Sequence, residues 1–332
     1  MAILFRSAVA TLAIALGAAS MAAKADELKF GAMPLGSIWY VFAASFAKHI
    51  TPALPPGSKV DIIARGGGVG NPIIVNEKKA DVAFANVCTS VWAMEGEPEI
   101  YKGKKHADIR SLLGGLNEIF LVGMLTEDYI KRTGNDTLEK ALTSKTPPRI
   151  IMKPAGSTVP PSVRLLLEGL GLSFDKYKAA GGQIIQVDVG QIPTLFRDGR
   201  ADLYFESASP GHPATVEAST TVAVRFLDLP EKSLAHMAKN GLKIVSMPVH
   251  FKGQPGPVKA VDFGTNLVVH KDMPEATAYA ITKAVIENRD AIVRDNKAMQ
   301  NFVASEAWKP ENNGVPLHPG AARFYREKGW MK

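Results

Sequence analysis

Four stretches of this sequence carry the groups from which an anion site is made. They are Met33-Pro34-Leu35-Gly36-Ser37, Arg65 to Asn71, Ala155-Gly156-Ser157-Thr158 and Ser207-Ala208-Ser209-Pro210-Gly211. Each mixes small residues that free the backbone with polar side chains, and each stands between a run of strand length and one with helical spacing. At such turns unpaired N–H groups and the helix dipole favour a carboxylate or a phosphate. Ser37, Gly68, Ser157, Thr158 and Ser207 are the positions expected to meet a ligand there. Arg65 follows a strand beside three glycines, where its guanidinium could hold an anion bidentately or simply pair at the surface. Asn71, before Pro72, is expected to cap a helix first and to touch a ligand second. Trp39 and Tyr40 open a helix and should be partly buried, one ring covering the apolar part of a ligand. Asn86 ends the third strand, and Glu206, following a strand, could meet a ligand ammonium, although a solvated or lobe-internal carboxylate is the plainer reading.

Catalytic chemistry has less behind it. The single cysteine, Cys88, can form no internal disulfide and reads as a small buried hydrophobe. The 7 histidines lack HxxxH or HxH spacing, and His212, His270 and His318 read as structural. Gly66 to Gly70 fails the dinucleotide spacing, because Asn71 takes the last glycine position. There is no G-x-S-x-G and no phosphate-binding P-loop. The expectation is a protein without catalytic residues, metal or cofactor. The formal charge of +7 is spread along the chain, and Lys102 to Lys105 with His106 has no interleaved aromatic platform. No nucleic-acid partner is expected, and the chain is taken as monomeric.

The elements that would position these loops can be read in order. At 332 residues the chain exceeds what one core usually organises, and 21% charged residues with mean hydropathy near zero make it globular. Arg6, the apolar run Ala8 to Ala19 and Ala23-Lys24-Ala25 make residues 1–25 a secretory signal cut after Ala25. The expected location is therefore periplasmic. Strands are expected at Leu28–Met33, Val60–Ala64, Ala80–Ala85, Arg149–Met152, Ile184–Val187, Leu203–Phe205, Val224–Leu227 and Thr265–His270. Helices are expected at Ile38–Ile50, Ser162–Leu170, Ile192–Arg197, Glu231–Asn240, from Glu275 onward and at Gly320–Lys328. Gly-rich Leu112 to Leu125 reads as one crossing strand. Alternating strands and helices build α/β lobes. The division expected is residues 26–125 plus 258–332 for the first lobe and 126–257 for the second. Two of the four loops come from each lobe, so a ligand belongs in the cleft between them, at the carboxyl ends of the strands.

Several stretches, in order, resemble the TAXI family of solute receptors that serve tripartite, TRAP-type transporters. Pro316-Leu317-His318-Pro319-Gly320-Ala321 followed by Phe324-Tyr325-Arg326-Glu327-Lys328-Gly329 is close to the family's P-L-H-P-G-A-x-x-Y-Y-x-E-K-G. Gly66 to Asn71 resembles G-G-S-V-E-N, Asp81 to Asn86 resembles D-L-A-F-V-Q, and Gly36 to Tyr40 resembles G-G-T-Y-Y. Asp198 to Asp202 and the run through Leu267, Met273 and Glu275 also follow the family pattern. The resemblance implies an α/β, periplasmic-binding-protein type II-like fold, with two lobes joined by a hinge. It also implies membrane permease subunits of a TRAP-type transporter as partners, and glutamate-like amino acids or small carboxylates as ligands. The family's cleft positions fall on Ser37, Tyr40, Asn71, Asn86, Ser157 and the Ser207 region.

Departures from the family pattern shape the expected ligand. Gly68 stands for a family Ser, Gly70 for Glu, Asn86 for Gln, Cys88 for Asp, and Arg65 for Thr or Ser. Fewer acids and one more arginine favour a small organic anion, a carboxylate or dicarboxylate, over an amino acid. A ligand-sensing module for a membrane regulator, and an exported enzyme using the same cleft, are the rival readings.

Overall fold

The computed structural model describes residues 25–35 and 37–332. The targeting segment expected over residues 1–25 falls, Ala25 apart, outside them. Strands β1 (Glu27–Gly31), β2 (Lys59–Ile63), β3 (Val82–Ala85) and β4 (Ile109–Leu113) come first. Next are β5 (Phe120–Thr126), β6 (Arg149–Met152), β7 (Gln183–Gln186), β8 (Leu203–Ala208) and β9 (Val224–Leu227). The last three are β10 (Lys243–Met247), β11 (Val258–Asp262) and β12 (Asn266–His270).

These strands form two mixed sheets. The first runs β2-β1-β3-β12-β4, with β1, β2 and β3 parallel and β12 antiparallel between β3 and β4. The second runs β10-β11-β5-β8-β6-β7, with β9 also paired to β5. Both β5 and β11 thus lie in the second sheet, whereas a division at residues 125/126 and 257/258 put them in the first lobe. Leu112 to Leu125 is accordingly two strands, not one. Gly114 and Gly115 separate them, and the φ of +68° at Gly115 is a conformation that glycine adopts without strain.

The chain therefore crosses between lobes at residues 114–119 and 263–265. The crossings are tied side by side: Leu116 N–H donates to Thr265 O at 3.2 Å and Phe263 N–H to Ile119 O at 2.9 Å. Asp262 Oδ1 accepts from the N–H groups of Ile119 and Gly264, at 2.8 and 2.9 Å. Burial pushes the Asp262 carboxyl above its ordinary value, against those two hydrogen bonds.

Helix Ile38–Ile50 shows why the first lobe holds its shape. Trp39, Phe42, Ala43, Phe46 and Ile50 recur at helical spacing and are all buried. Phe84 of β3 sits at the centre of an aromatic cluster, its ring centroid 5.0–6.1 Å from those of Phe30, Trp39, Phe42 and Phe46. Such pairs add about 0.5–1.5 kcal/mol each beyond area burial. Ser37 caps the helix, its Oγ accepting from Tyr40 N–H at 3.2 Å, a cap typically worth about 1 kcal/mol. Packing and cap together fix Ser37 and Trp39 in place. The C-terminal helices Glu275–Glu287 and Pro319–Glu327 pack on this lobe, and Tyr325 OH donates to Leu112 O at 3.1 Å.

Candidate functional site

Each of the four Gly/Ser loops delivers residues to one cavity of about 280 Å³ between the lobes. Ser37, Trp39, Gly68 and Asn86 line it from the first lobe. Ser157, Thr158, Ser207 and Ser209 line it from the second, together with Lys153 and His212. Much of the remaining wall is apolar: Leu35, Ile38, Ile119, Pro193 and Pro213.

Three expected positions are not among the lining residues. Arg65 is exposed and makes no ion pair among the described residues. Tyr40 is half-buried, and only its backbone N–H reaches Ser37. Asn71 is fully buried and spent inside its own lobe: Nδ2 donates to Ala32 O at 3.0 Å and Phe84 O at 2.8 Å, and Oδ1 accepts from Gly67 N–H at 3.2 Å. It is also not a helix cap, since the helix Gly70–Asn76 is capped at Val69. An amide has no better use than to tie β1, β3 and a glycine loop together, and this one does so.

Where the lobes meet, their contact is polar and close. Thr158 Oγ1 donates to Asn86 Oδ1 at 2.6 Å, and Asn86 Nδ2 donates to the hinge carbonyl of Gly264 at 2.9 Å. Val69 N–H reaches Gly156 O at 3.3 Å. A Cβ on Gly67 would stand 2.7 Å from Gly156 O, and one on Gly68 would collide with Thr158 Oγ1 and Asn86 Oδ1. Gly68 therefore serves this approach of the lobes. Farther out, Arg164 Nη2 pairs with Glu97 at 2.9 Å and Trp92 Nε1 donates to Asn240 O at 2.8 Å.

The ammonium in the cavity wall is that of Lys153, which the sequence reading passed over. It directly follows β6, and β6 pairs in parallel register with β8, Ile151 facing Tyr204. Two residues further along both strands, Lys153 Nζ meets Glu206 Oε1 at 2.5 Å and donates to Ser207 Oγ at 2.9 Å. Glu206 is fully buried and also accepts from Tyr204 OH at 2.5 Å and Ser207 N–H at 2.7 Å. Burial pushes its carboxyl up, but the Lys153 ammonium, the His212 ring and these hydrogen bonds outweigh burial and hold it below the ordinary value. Glu206 is thus lobe-internal, within β8 rather than after it.

His212 caps helix Pro213–Thr221, its Nδ1 accepting from Thr215 N–H at 3.4 Å. Burial lowers the affinity of this imidazole for a proton, only partly offset by Glu206. Two buried polar atoms of lining residues, Trp39 Nε1 and Ser157 Oγ, have no hydrogen-bond partner among the described residues. Helix Val159–Gly169 supplies fewer donors than its position suggests, because Pro160 and Pro161 in its first turn carry no N–H.

Cys88 is buried, as expected, and burial pushes its thiol up. No cluster of three metal-ligating side chains occurs among the described residues, and none of their helices is long and apolar enough to cross a membrane.

A family model described as the NMT1-like family matches residues 30–329. The chain belongs to the NMT1-like family. Among solved structures, a protein from Bordetella bronchiseptica RB50 matches this NMT1-like chain over 92% of its length and 89% of its own, at 13% identity and a TM-score of 0.50. The periplasmic aliphatic sulphonate binding protein SsuA from Escherichia coli matches at 13% identity over 92% and 91%, with a TM-score of 0.44. The periplasmic nitrate-binding protein NrtA from Synechocystis PCC 6803 matches at 13% identity over 82% and 66%, with a TM-score of 0.47. The fold of this NMT1-like protein is periplasmic-binding-protein type II-like, two mixed α/β sheets with helices and a cleft between them.

Proposed function

We propose that this protein is an exported solute receptor without catalytic activity, which takes a small organic anion between its lobes and delivers it to membrane permease subunits. One observation carries the reading: four separate strand-to-helix loops, two per lobe, border a single cavity whose lining includes an ammonium and unpaired buried donors. A ligand touching both lobes stabilises their contact relative to any more open arrangement, which is how a receptor couples occupancy to shape. The ordered resemblance to the TAXI family, above all Pro316 to Gly329, supports a TRAP-type transporter as the recipient and the periplasm as the location. A monomer suffices for this role.

Thermal-shift screening of the mature protein against small carboxylates, sulfonates, amino acids, sugars and nucleosides tests the reading. A ligand at a hundred times its Kd should add about 2.7 kcal/mol of stability. Stabilisation by a small anion that leaves it chemically unchanged supports a receptor. Steady conversion of the compound into a product would contradict it.

A further inference from the structure

Resting on the receptor reading above, we infer that the cleft selects a singly charged carboxylate with a ring or branched apolar body, and discriminates against α-amino acids and dicarboxylates. The argument begins with charge. Among the described residues lining the cavity, Lys153 is the one lysine or arginine, and it is balanced by Glu206. An ammonium has three donors, and Lys153 gives two of them to Glu206 and Ser207. One remains for a ligand oxygen. Trp39 Nε1 and Ser157 Oγ, buried and without partners, are further groups that an oxygen acceptor would satisfy.

A ligand ammonium finds no comparable host. Glu206 Oε1 already takes Lys153 and Ser207, and Oε2 takes Tyr204; Glu206 and Tyr204 are fully buried and are not among the lining residues. Glu217, the other carboxylate at the cavity, is exposed at its edge. Its negative charge opposes a second carboxylate, and no second cation lines the cavity to receive one. Arg65, which would have filled that need, lies exposed outside it.

Size and wall complete the description. A cavity of about 280 Å³, against the roughly 150 Å³ that accepts benzene, admits about ten non-hydrogen atoms. Ile38, Ile119, Pro193 and Pro213 with the Trp39 ring give most of those atoms an apolar surface.

Isothermal titration of the mature protein with matched pairs tests this: 3-phenylpropanoate against phenylalanine, and 4-methylpentanoate against 3-methylglutarate. The expected result is binding of the monocarboxylate in at least one pair, tenfold or more tighter than its partner. The double variant Lys153→Met with Glu206→Gln removes the charge pair without stranding either member, and should weaken that binding at least tenfold. Ser207→Ala and Trp39→Phe, milder changes, should each weaken it several-fold. Equal or tighter binding of phenylalanine or 3-methylglutarate would overturn the proposed class and leave the receptor reading standing. So would binding by neither pair when a sugar, nucleoside or other library compound stabilises the protein. No stabilising compound in the whole library would overturn both.

Discussion

Thr158 and Asn86 join the two lobes through a 2.6 Å hydrogen bond, and both side chains also line the cavity. Gly68 lies against the pair so tightly that a single methyl group there would strike both oxygens. Gly68→Ala should therefore leave each lobe folded while opposing their contact. We expect unchanged far-UV circular dichroism, a ligand affinity reduced by at least tenfold, and a larger radius of gyration by small-angle scattering at saturating ligand. Undiminished affinity would mean that the lobes need not approach this closely.

Arg65 gives the opposite prediction. Exposed and unpaired among the described residues, it resembles surface sites where substitution usually changes stability by less than about 0.5 kcal/mol. Arg65→Ala should leave ligand affinity within about twofold, measured by titration calorimetry. A loss of tenfold or more would return this guanidinium to the site.

Arg164 bridges Glu97 of the first lobe and Glu168 of its own helix, at 2.9 and 2.8 Å. The pair is remote from the ligand and partly exposed, where such contacts are worth about 0.2–1 kcal/mol. Arg164→Met should raise the ligand dissociation rate by roughly two- to fivefold and leave the association rate unchanged in stopped-flow measurements. Equal rates for variant and parent would show that this contact does not hold the lobes together.

The acid limb of stability should have two parts. Burial is the leading cause that lowers the imidazoles of His106, His212, His270 and His318 from their ordinary 6.5. Below 6.5 the unfolded chain binds more protons than the folded one, so stability falls until each folded imidazole is itself protonated. Glu206 and Asp202 are raised by burial, yet are held below 4.5 and 3.8 by Lys153 and His212 in one case and by Arg149 and Arg132 in the other. Their contribution is intact above those values and is lost as pH falls through the folded-state pKa. Urea denaturation across this range should show a first decline starting near 6.5 and a second starting below about 4.5. His212→Asn, which keeps a capping acceptor, should shrink the first decline. Stability that rises between pH 7 and 5 would contradict the assignment.

The elements that frame the cleft were readable where one local signal sufficed. Helix Ile38–Ile50 coincides with the expected span because Ser37 caps it and its apolar residues share one face. Arg149–Met152, Ile192–Arg197 and Val224–Leu227 coincide as well. Strand β10 was missed because four of its five residues are at least partly exposed, which leaves little apolar alternation to read. The boundary between lobes was misplaced because Leu112 to Leu125 is apolar on both sides of the turn at Gly114 and Gly115, so hydrophobicity alone marks no break.

Seven of the ten expected ligand positions reach the cavity, since a loop's chemistry at a strand end is local. Lys153 was missed for a different reason. Its partner Glu206 is 53 positions away, and only the adjacency of β6 and β8 brings them together. Arg65 shows the converse: the sequence supplies a charge at a strand end, but not the direction in which it points.

The central claim is that one ligand engages both lobes in this cleft, and hydrogen–deuterium exchange with and without a saturating ligand tests it most directly. The account predicts slower exchange together at Ile38–Tyr40, at Ser157–Val159 and at Ala214–Val216, with helix Pro319–Glu327 unchanged. Protection confined to one lobe, or centred away from these segments, would contradict it.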